Sequence, residues 1–129
     1  MGPRYLIDSN VIIDYAAGRF SIKSSDFIEE ILNQQFLISI IVKIEVLGFD
    51  DLPHKITAME DFIGMAKIIP LDDKVTDTAI RLRRKHKKLK LGDAIIASTA
   101  IEYNLILMTL NVADFINISN LNVLNPHQI

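Results

Sequence analysis

The chain has 129 residues, of which half are hydrophobic and 23% are charged, so it can bury a core and is not a disordered segment. It contains no cysteine, which excludes a disulfide framework, a thiolate zinc site and a cysteine nucleophile, and which fits a reducing cytoplasm. The formal net charge is −2, and no apolar run approaches the roughly 18 residues that a transmembrane helix needs, so we expect a cytoplasmic protein with no membrane association.

The chain begins with a predicted strand followed by two helices. Tyr5–Ile7 is a short apolar run typical of a buried strand, and the helix after it is predicted to begin near Val11 and to end at Gly18. Asp26-x-x-Glu29 resembles a capping box in front of apolar residues, which predicts the start of a second helix at this point.

The middle of the chain predicts two more strands, each followed by a helix. Residues 36–40 are apolar and β-branched, as in a buried strand, and residues 42–48 predict a short helix. Pro53 opens the next helix, because proline is favoured in the first helical turn. Residues 68–71 predict a short strand, and the proline inside that run indicates either an edge position in the sheet or the end of the strand.

The last part of the chain completes the alternation of strands and helices. Asp72 is predicted to cap one helix, and Asp93 is predicted to cap a second helix that is apolar nearly all round and therefore central. Residues 105–109 and 123–124 predict the last strands. This alternation predicts an α/β fold in one domain over residues 1–129, a three-layer sandwich around a mostly parallel sheet.

The positive charge is concentrated in residues 81–90, the basic segment, which holds half of the fourteen Lys and Arg residues and no acid. The rest of the chain therefore has seven cations against sixteen acids. The cations of the basic segment are Arg81, Arg83, Arg84, Lys85, Lys87, Lys88 and Lys90. Such a cluster either binds the phosphates of a nucleic acid or forms a solvated helix face.

Several familiar kinds of site are absent from the sequence. The five glycines are far apart, so the chain has neither a dinucleotide-binding loop nor a P-loop. The three histidines lack metal-ligand spacing, and RNA cleavage by a pair of them is only a minor alternative. No G-x-S-x-G nucleophile motif occurs.

Four carboxylates occupy positions that suggest a shared site. Asp8 follows the first strand, and Asp114 follows the strand that ends at Thr109. Glu45 lies in an otherwise apolar stretch, and Asp93 begins the most apolar helix. Groups beyond the carboxyl ends of parallel strands converge on one crevice, where clustered acids favour a bound cation. Mg²⁺ held by carboxylates and waters can activate a water molecule against a phosphodiester, so the cluster suits hydrolysis of a nucleic acid.

Each of these carboxylates also has a structural interpretation. Asp8 and Asp93 are suited to cap helices, Glu45 to a solvated helix face and Asp114 to a turn or a cap. Asn10 is expected to form local hydrogen bonds rather than to act in catalysis. Capping and metal ligation are compatible, because a carboxylate has two oxygens.

Motifs in order along the chain resemble those of one known family. They are Tyr5-Leu6-Ile7-Asp8-Ser9-Asn10-Val11, Ile38-Ser39, Glu45-Val46-Leu47-Gly48, residues 91–100, Leu107-Met108-Thr109 with Asn111 and Asp114-Phe115, and Leu124-Asn125-Pro126. In this order and spacing the chain resembles, over nearly its whole length, the PIN-domain nucleases, in particular the small ribonuclease toxins of VapBC toxin–antitoxin modules.

The resemblance implies a metal-dependent endoribonuclease with a parallel α/β sandwich. Asp8 and Asp93 would bind Mg²⁺ or Mn²⁺ directly or through water, and Glu45 would complete this set and hold or deprotonate the attacking water. In-line attack on phosphorus would leave a 5′-phosphate and a 3′-hydroxyl. Thr109 would orient a ligand or a water molecule through its hydroxyl.

Two positions depart from the family pattern. Asn111 stands where many members have an acid, which leaves a second metal ion open, although Asp114 lies one turn later and can replace that acid. Val42 stands where many members have Ser or Thr, so one polar contact is missing.

The resemblance also implies partners. It implies a homodimer and an antitoxin whose C-terminal segment enters the acidic groove with an Arg or Lys. The basic segment would then bind the RNA backbone beside the acids. Two alternatives stay open: a nuclease-dead PIN fold that binds RNA or protein, motivated by Asn111, and a small-molecule phosphohydrolase.

Overall fold

A five-stranded sheet forms the centre of the computed structural model, which describes residues 4–129. The strands are β1 (Tyr5–Ile7), β2 (Leu37–Ser39), β3 (Lys67–Ile69), β4 (Ile106–Met108) and β5 (Val123–Leu124). All four neighbouring pairs are parallel, and the strand order is β3-β2-β1-β4-β5. The predicted edge position of β3 and the predicted parallel α/β architecture are therefore confirmed.

Seven α-helices within residues 4–129 connect and cover the strands. They are α1 (Ser9–Ala16), α2 (Ile22–Leu32), α3 (Ile40–Leu47), α4 (Pro53–Ile63), α5 (Asp73–Lys85), α6 (Leu91–Glu102) and α7 (Val112–Phe115). A short 3₁₀-helix over Pro126–Gln128 follows β5. None of the helices in this part of the chain has the length and apolar character needed to cross a bilayer.

The strand order determines where a site can form. Because parallel crossovers are right-handed, the connections from β1 to β2 and from β2 to β3 place α1 to α4 on one face of the sheet. The connections from β3 to β4 and from β4 to β5 progress across the sheet in the opposite direction, so α5, α6 and α7 cover the other face. The segments that follow β1 and β4 therefore leave these adjacent strands toward opposite faces, and a crevice opens between the two carboxyl ends.

The core lies between the sheet and its two helical layers. Leu6, Ile7, Ile38 and Leu107 on the central strands are fully buried, as expected for a parallel sheet covered on both faces. Every residue from position 94 to position 100 of α6 is also buried, which confirms the predicted central helix. The small side chains in this run let the helix backbone pack close to the sheet.

Helix starts were predicted less accurately than strands. Ser21 caps α2 by accepting a hydrogen bond from Ser24 N at 3.1 Å, so the predicted capping box at Asp26 is wrong and Asp26 lies inside the helix. Lys90 occupies the N-cap position of α6, so Asp93 lies in the first turn of that helix and does not cap it. An acid there still interacts favourably with the helix dipole, and its carboxylate is left available for other contacts.

Candidate active site

Asp8 connects the first strand to the crevice. It caps α1, with its Oδ1 atom accepting a hydrogen bond from Ser9 N at 2.8 Å, as the sequence predicted. Its Oδ2 atom accepts a second hydrogen bond at 2.8 Å from the hydroxyl of Thr109, which follows β4. The side chain is only 5% exposed, so these two bonds fix a nearly buried carboxylate at the junction of β1 and β4.

Thr109 lies at the centre of a hydrogen-bond network. Its Oγ1 atom, besides donating to Asp8, accepts from Asn10 Nδ2 at 3.3 Å and from Asn111 N at 3.1 Å. Asn10 Oδ1 in turn accepts from Leu110 N at 3.2 Å. The bonds of Asn10 therefore join the start of α1 to the loop after β4, which corrects its interpretation as a locally bonded residue.

Glu45 reaches the same crevice from α3. Ser9 Oγ donates to Glu45 Oε1 at 3.3 Å and lies 3.5 Å from Asp8 Oδ1, so one hydroxyl stands between the two carboxylates. Glu45 is exposed to solvent, whereas Val42, one turn earlier, is fully buried in the core. The missing Ser or Thr at position 42 is thus replaced by a side chain that packs in the interior.

The pKa values of Asp8, Glu45 and Asp93 are all raised in the folded protein. Burial raises the pKa of Asp8, and the charge of Asp114 raises it further. Burial also raises the pKa of Glu45, with smaller contributions from Asp8 and Asp93. The pKa of Asp93 is raised by burial first and then by the charges of Asp8 and Asp114, while Lys90 opposes the shift. Acids from four separate segments therefore repel one another across one site.

Asp114 is carried by α7, a short helix that the sequence did not predict. Asn111 occupies the N-cap position of this helix, and Asp114 lies in its only turn, exposed to solvent. Phe115, which is 1% exposed, anchors the helix in the core. The available signal was an asparagine followed three residues later by an acid and then by a large apolar residue, a pattern typical of a helix start.

The basic segment lies at the loop end of a helical hairpin. The Tyr103 hydroxyl donates to Asp72, and Thr78 Oγ1 donates to Glu102 at 2.9 Å, so α5 and α6 run antiparallel. The loop between the two helices therefore lies at the other end, beside Asp93. Arg81 Nη2 donates to Thr78 Oγ1 at 2.8 Å, well before this loop.

A cavity of about 380 Å³, the lysine cavity, separates this loop from α7. It is lined by His86, Lys87, Lys88, Leu89, Lys90, Asp93, Ala113, Asp114, Asn117 and Ile118. Three lysines of the basic segment and two of the four carboxylates thus share one cavity. The other cations, Arg81, Arg83, Arg84 and Lys85, are exposed on α5, and their predicted role in RNA binding stays a prediction.

The sequence and the fold both identify a family. A model of the PIN domain matches residues 5–120 of the chain. The chain belongs to the PIN domain family. This membership confirms the resemblance found in the sequence and agrees with the parallel sheet and its two helical layers.

Solved structures similar to this PIN domain come from several bacteria. A chain of a toxin–antitoxin complex from Klebsiella pneumoniae is 30% identical, with a TM-score of 0.78, and the match covers 97% of this chain and 99% of that one. VapBC2 from Rickettsia felis, bound to a DNA fragment from its promoter, is 24% identical over 94% and 97% of the two chains, with a TM-score of 0.79. VapBC-1 from nontypeable Haemophilus influenzae is 21% identical over 95% and 97%, with a TM-score of 0.77. No curated protein matches the chain by sequence.

The donor set of this PIN domain fits a hydrated divalent cation rather than a fully protein-ligated one. Within residues 4–129, no three His, Asp or Glu side chains are so arranged that they could hold a metal ion by themselves. Mg²⁺, however, is usually bound by one or two carboxylates and keeps several waters. Carboxylates that repel one another, and whose pKa values are raised, favour a cation of this kind between them.

Proposed function

We propose that this PIN domain is a Mg²⁺- or Mn²⁺-dependent endoribonuclease and the toxin of a type II toxin–antitoxin pair. The observation that carries the proposal is the convergence of Asp8, Glu45, Asp93 and Asp114 on one crevice beside the lysines of the basic segment. An acidic centre binds a divalent cation, and neighbouring cations bind the flanking phosphates of a polynucleotide. Both features are needed to hydrolyse an RNA backbone.

In the proposed mechanism each residue has a separate task. Asp8 and Asp93 would hold the metal ion directly or through water, and Thr109 and Ser9 fix the carboxylate of Asp8 by the hydrogen bonds described above. The bound ion supplies a Lewis acid for the phosphate and lowers the pKa of water. Glu45 would orient the attacking water and accept its proton, a role that its position next to Asp8, across the hydroxyl of Ser9, supports. Asp114 adds negative charge from the opposite side of the crevice.

Metal removal tests the proposed reaction. We expect the purified protein to cleave an RNA hairpin in Mg²⁺ or Mn²⁺, to lose this activity in EDTA, and to regain it when the metal is restored, because the carboxylates alone repel a phosphodiester. Product ends are read by gel electrophoresis, and p-nitrophenyl phosphate serves as the control substrate. Cleavage that persists in EDTA would contradict the metal mechanism. Binding without cleavage would favour a nuclease-dead module, and faster turnover of p-nitrophenyl phosphate would favour a small-molecule phosphohydrolase.

An antitoxin is the second part of the proposal, and a groove on the α1–α4 face is suited to bind it. The groove has a volume of about 690 Å³ and is lined mainly by apolar side chains of α1, α3 and α4. Ile13 and Phe49 in its lining are 44% and 68% exposed. An apolar segment of the antitoxin binds there, and an Arg or Lys of the same chain pairs with the carboxylates of the crevice. The similarity to a chain of a toxin–antitoxin complex supports an antitoxin partner, and the groove is our proposal for where it binds.

Charge placed in the groove should block antitoxin binding. We expect Ile13→Glu to weaken binding at least ten-fold, because a carboxylate would have to be buried against an apolar partner. Ile22→Glu is the matched control, since Ile22 is 83% exposed on α2 and lies outside the groove lining. Affinities are measured by calorimetry with the purified antitoxin partner. Equal affinities of the two variants would place the antitoxin elsewhere.

A homodimer and a cytoplasmic location complete the proposal. Ile44 on α3 and Leu91 on α6 are 61% and 59% exposed, and these two helices are in contact, so they present apolar surface suited to a second copy of the chain. The absence of cysteine and the proposed action on RNA both fit the cytoplasm.

A further inference from the structure

The lysine cavity is lined partly by residues that have no role in the proposed metal-dependent step. Asp93 and Asp114 belong to its lining, but much of the remaining wall comes from residues that have no part in that step, among them Leu89, Asn117 and Ile118. Its volume of about 380 Å³ lies within the range of pockets that bind small molecules. A duplex cannot enter a space of this size, whereas a single nucleotide can.

One wall of the cavity is suited to phosphates. Lys87, Lys88 and Lys90 are all exposed and lie within four positions of one another in the loop before α6. Lysine contacts with phosphates hold the backbone in place and carry no information about base sequence. This wall therefore positions a nucleotide beside Asp93 without selecting its base.

Other parts of the cavity are suited to a base. Leu89 and Ile118 are 9% and 6% exposed, and the surface they leave accessible adds apolar area to the cavity. His86 contributes an imidazole ring to the same lining. Unpaired bases bind proteins by stacking on rings, histidine included, and by packing against apolar side chains.

Asn117 can both donate and accept hydrogen bonds, which neither the lysines nor the ionised carboxylates of the cavity can do. It is exposed, follows α7 and lines the cavity. A lysine only donates hydrogen bonds and an ionised carboxylate only accepts them, but a side-chain amide does both from one planar group. This donor–acceptor pair matches the N6 donor and the N7 acceptor of adenine, the bidentate contact that Asn and Gln form with that base.

Building on the proposed ribonuclease function, we propose that the lysine cavity holds one unpaired nucleotide next to the scissile phosphate and that Asn117 selects adenine there. The nucleotide must be unpaired, because a base inside an A-form RNA helix is stacked and its N6 and N7 atoms face a deep, narrow major groove that side chains cannot read. The lysines supply affinity, and Asn117 supplies base preference.

The test compares Asn117→Ala with the parent on four RNA hairpins that share one stem and differ in loops made entirely of A, C, G or U. Values of kcat/KM are measured in Mg²⁺, and affinities are measured in EDTA by fluorescence anisotropy, so the binding arm does not depend on turnover. We expect the parent to favour the A loop and the variant to lose at least about five-fold of that preference, the discrimination of one bidentate amide–base contact. Asn122→Ala is the matched control, because Asn122 is exposed, lies outside the lining of the lysine cavity and precedes β5 at the amino end of that strand.

The two arms distinguish failure of this inference from failure of the proposed function. Cleavage with a base preference that survives in Asn117→Ala would overturn the role of Asn117 and leave the ribonuclease intact. A preference for the A loop that is seen in binding, and is lost in the variant, would support the nucleotide site even if no cleavage occurred. Equal binding of all four loops by the parent, or no binding of RNA, would overturn the inference.

Discussion

Replacing Asp93 with asparagine should abolish RNA cleavage and at the same time make the metal-free protein more stable. The amide keeps the shape of the side chain but is a poor ligand for Mg²⁺, so we expect kcat/KM to fall by roughly a thousand-fold, as the loss of several kcal/mol of transition-state stabilisation implies. The gain in stability follows from removing a charge that is partly buried and that is also repelled by Asp8 and Asp114. A single substitution thus separates activity from stability.

The sign of the stability change follows from the direction of the pKa shift. Burial, together with the charges of Asp8 and Asp114, raises the pKa of Asp93 above its ordinary value in the folded protein. The unfolded chain therefore releases this proton at a lower pH than the folded chain does. Stability is then lost as pH rises from the ordinary aspartate pKa through the raised one, and the loss persists at neutral pH. The amide of the Asp93→Asn variant has no proton to release in this pH range. The variant therefore does not undergo the loss of stability that Asp93 causes in the parent.

Thermal melts in EDTA across acidic to neutral pH measure both effects. We expect the Tm of Asp93→Asn to increase relative to that of the parent as pH rises through this window, whatever the other carboxylates contribute to both proteins. Mg²⁺ should raise the Tm of the parent, because a ligand that binds the folded state stabilises it, and should raise that of the variant much less. Asp61→Asn, an exposed position on α4, is the matched control. Cleavage at the parent's rate by Asp93→Asn would refute the site, and a lower Tm at neutral pH in EDTA would refute the repulsion.

The position of the site could be predicted from the sequence because it depends on topology. Short apolar runs identify the strands, and the rule for the carboxyl ends of parallel strands predicts that Asp8 and Asp114 lie close together. Capping was one of two interpretations that the sequence allowed for Asp8, and Asp8 does cap α1. These inferences rest on local pattern and on connectivity, which the sequence contains.

Features that depend on tertiary contacts could not be predicted in the same way. Asn10 bonds to Thr109 and to Leu110, about a hundred positions away, and no local pattern encodes such a pair. The helix that carries Asp114 is only one turn long and is anchored by the burial of Phe115, so its stability comes from packing rather than from propensity. The basic segment looked uniform, but the hairpin of α5 and α6 places only its last three lysines in the cavity.

Removing Arg83, Arg84, Lys87 and Lys88 together should weaken RNA binding and reduce its dependence on salt. Each phosphate contact with single-stranded RNA contributes about 0.7 to the slope of log affinity against log salt, so four alanines should lower the slope by up to about three. Affinity at low salt should fall more than ten-fold. Binding is measured in EDTA between roughly 50 and 200 mM salt, so that cleavage does not interfere.

The matched control removes the same charge from other parts of the surface. Arg4, Lys23, Lys55 and Lys67 are exposed cations outside the basic segment, and their replacement by alanine changes the net charge equally. If the basic segment contacts phosphates, the control keeps most of the parent's slope, because cations more than about 10 Å from the RNA are screened at these salt concentrations. If both quadruple variants lose the same slope, the net charge of the protein attracts RNA, and residues 81–90 form only a solvated surface. The two quadruple variants have the same net charge. Direct phosphate contacts by the basic segment therefore predict different salt slopes for them, whereas attraction by the overall charge predicts the same slope.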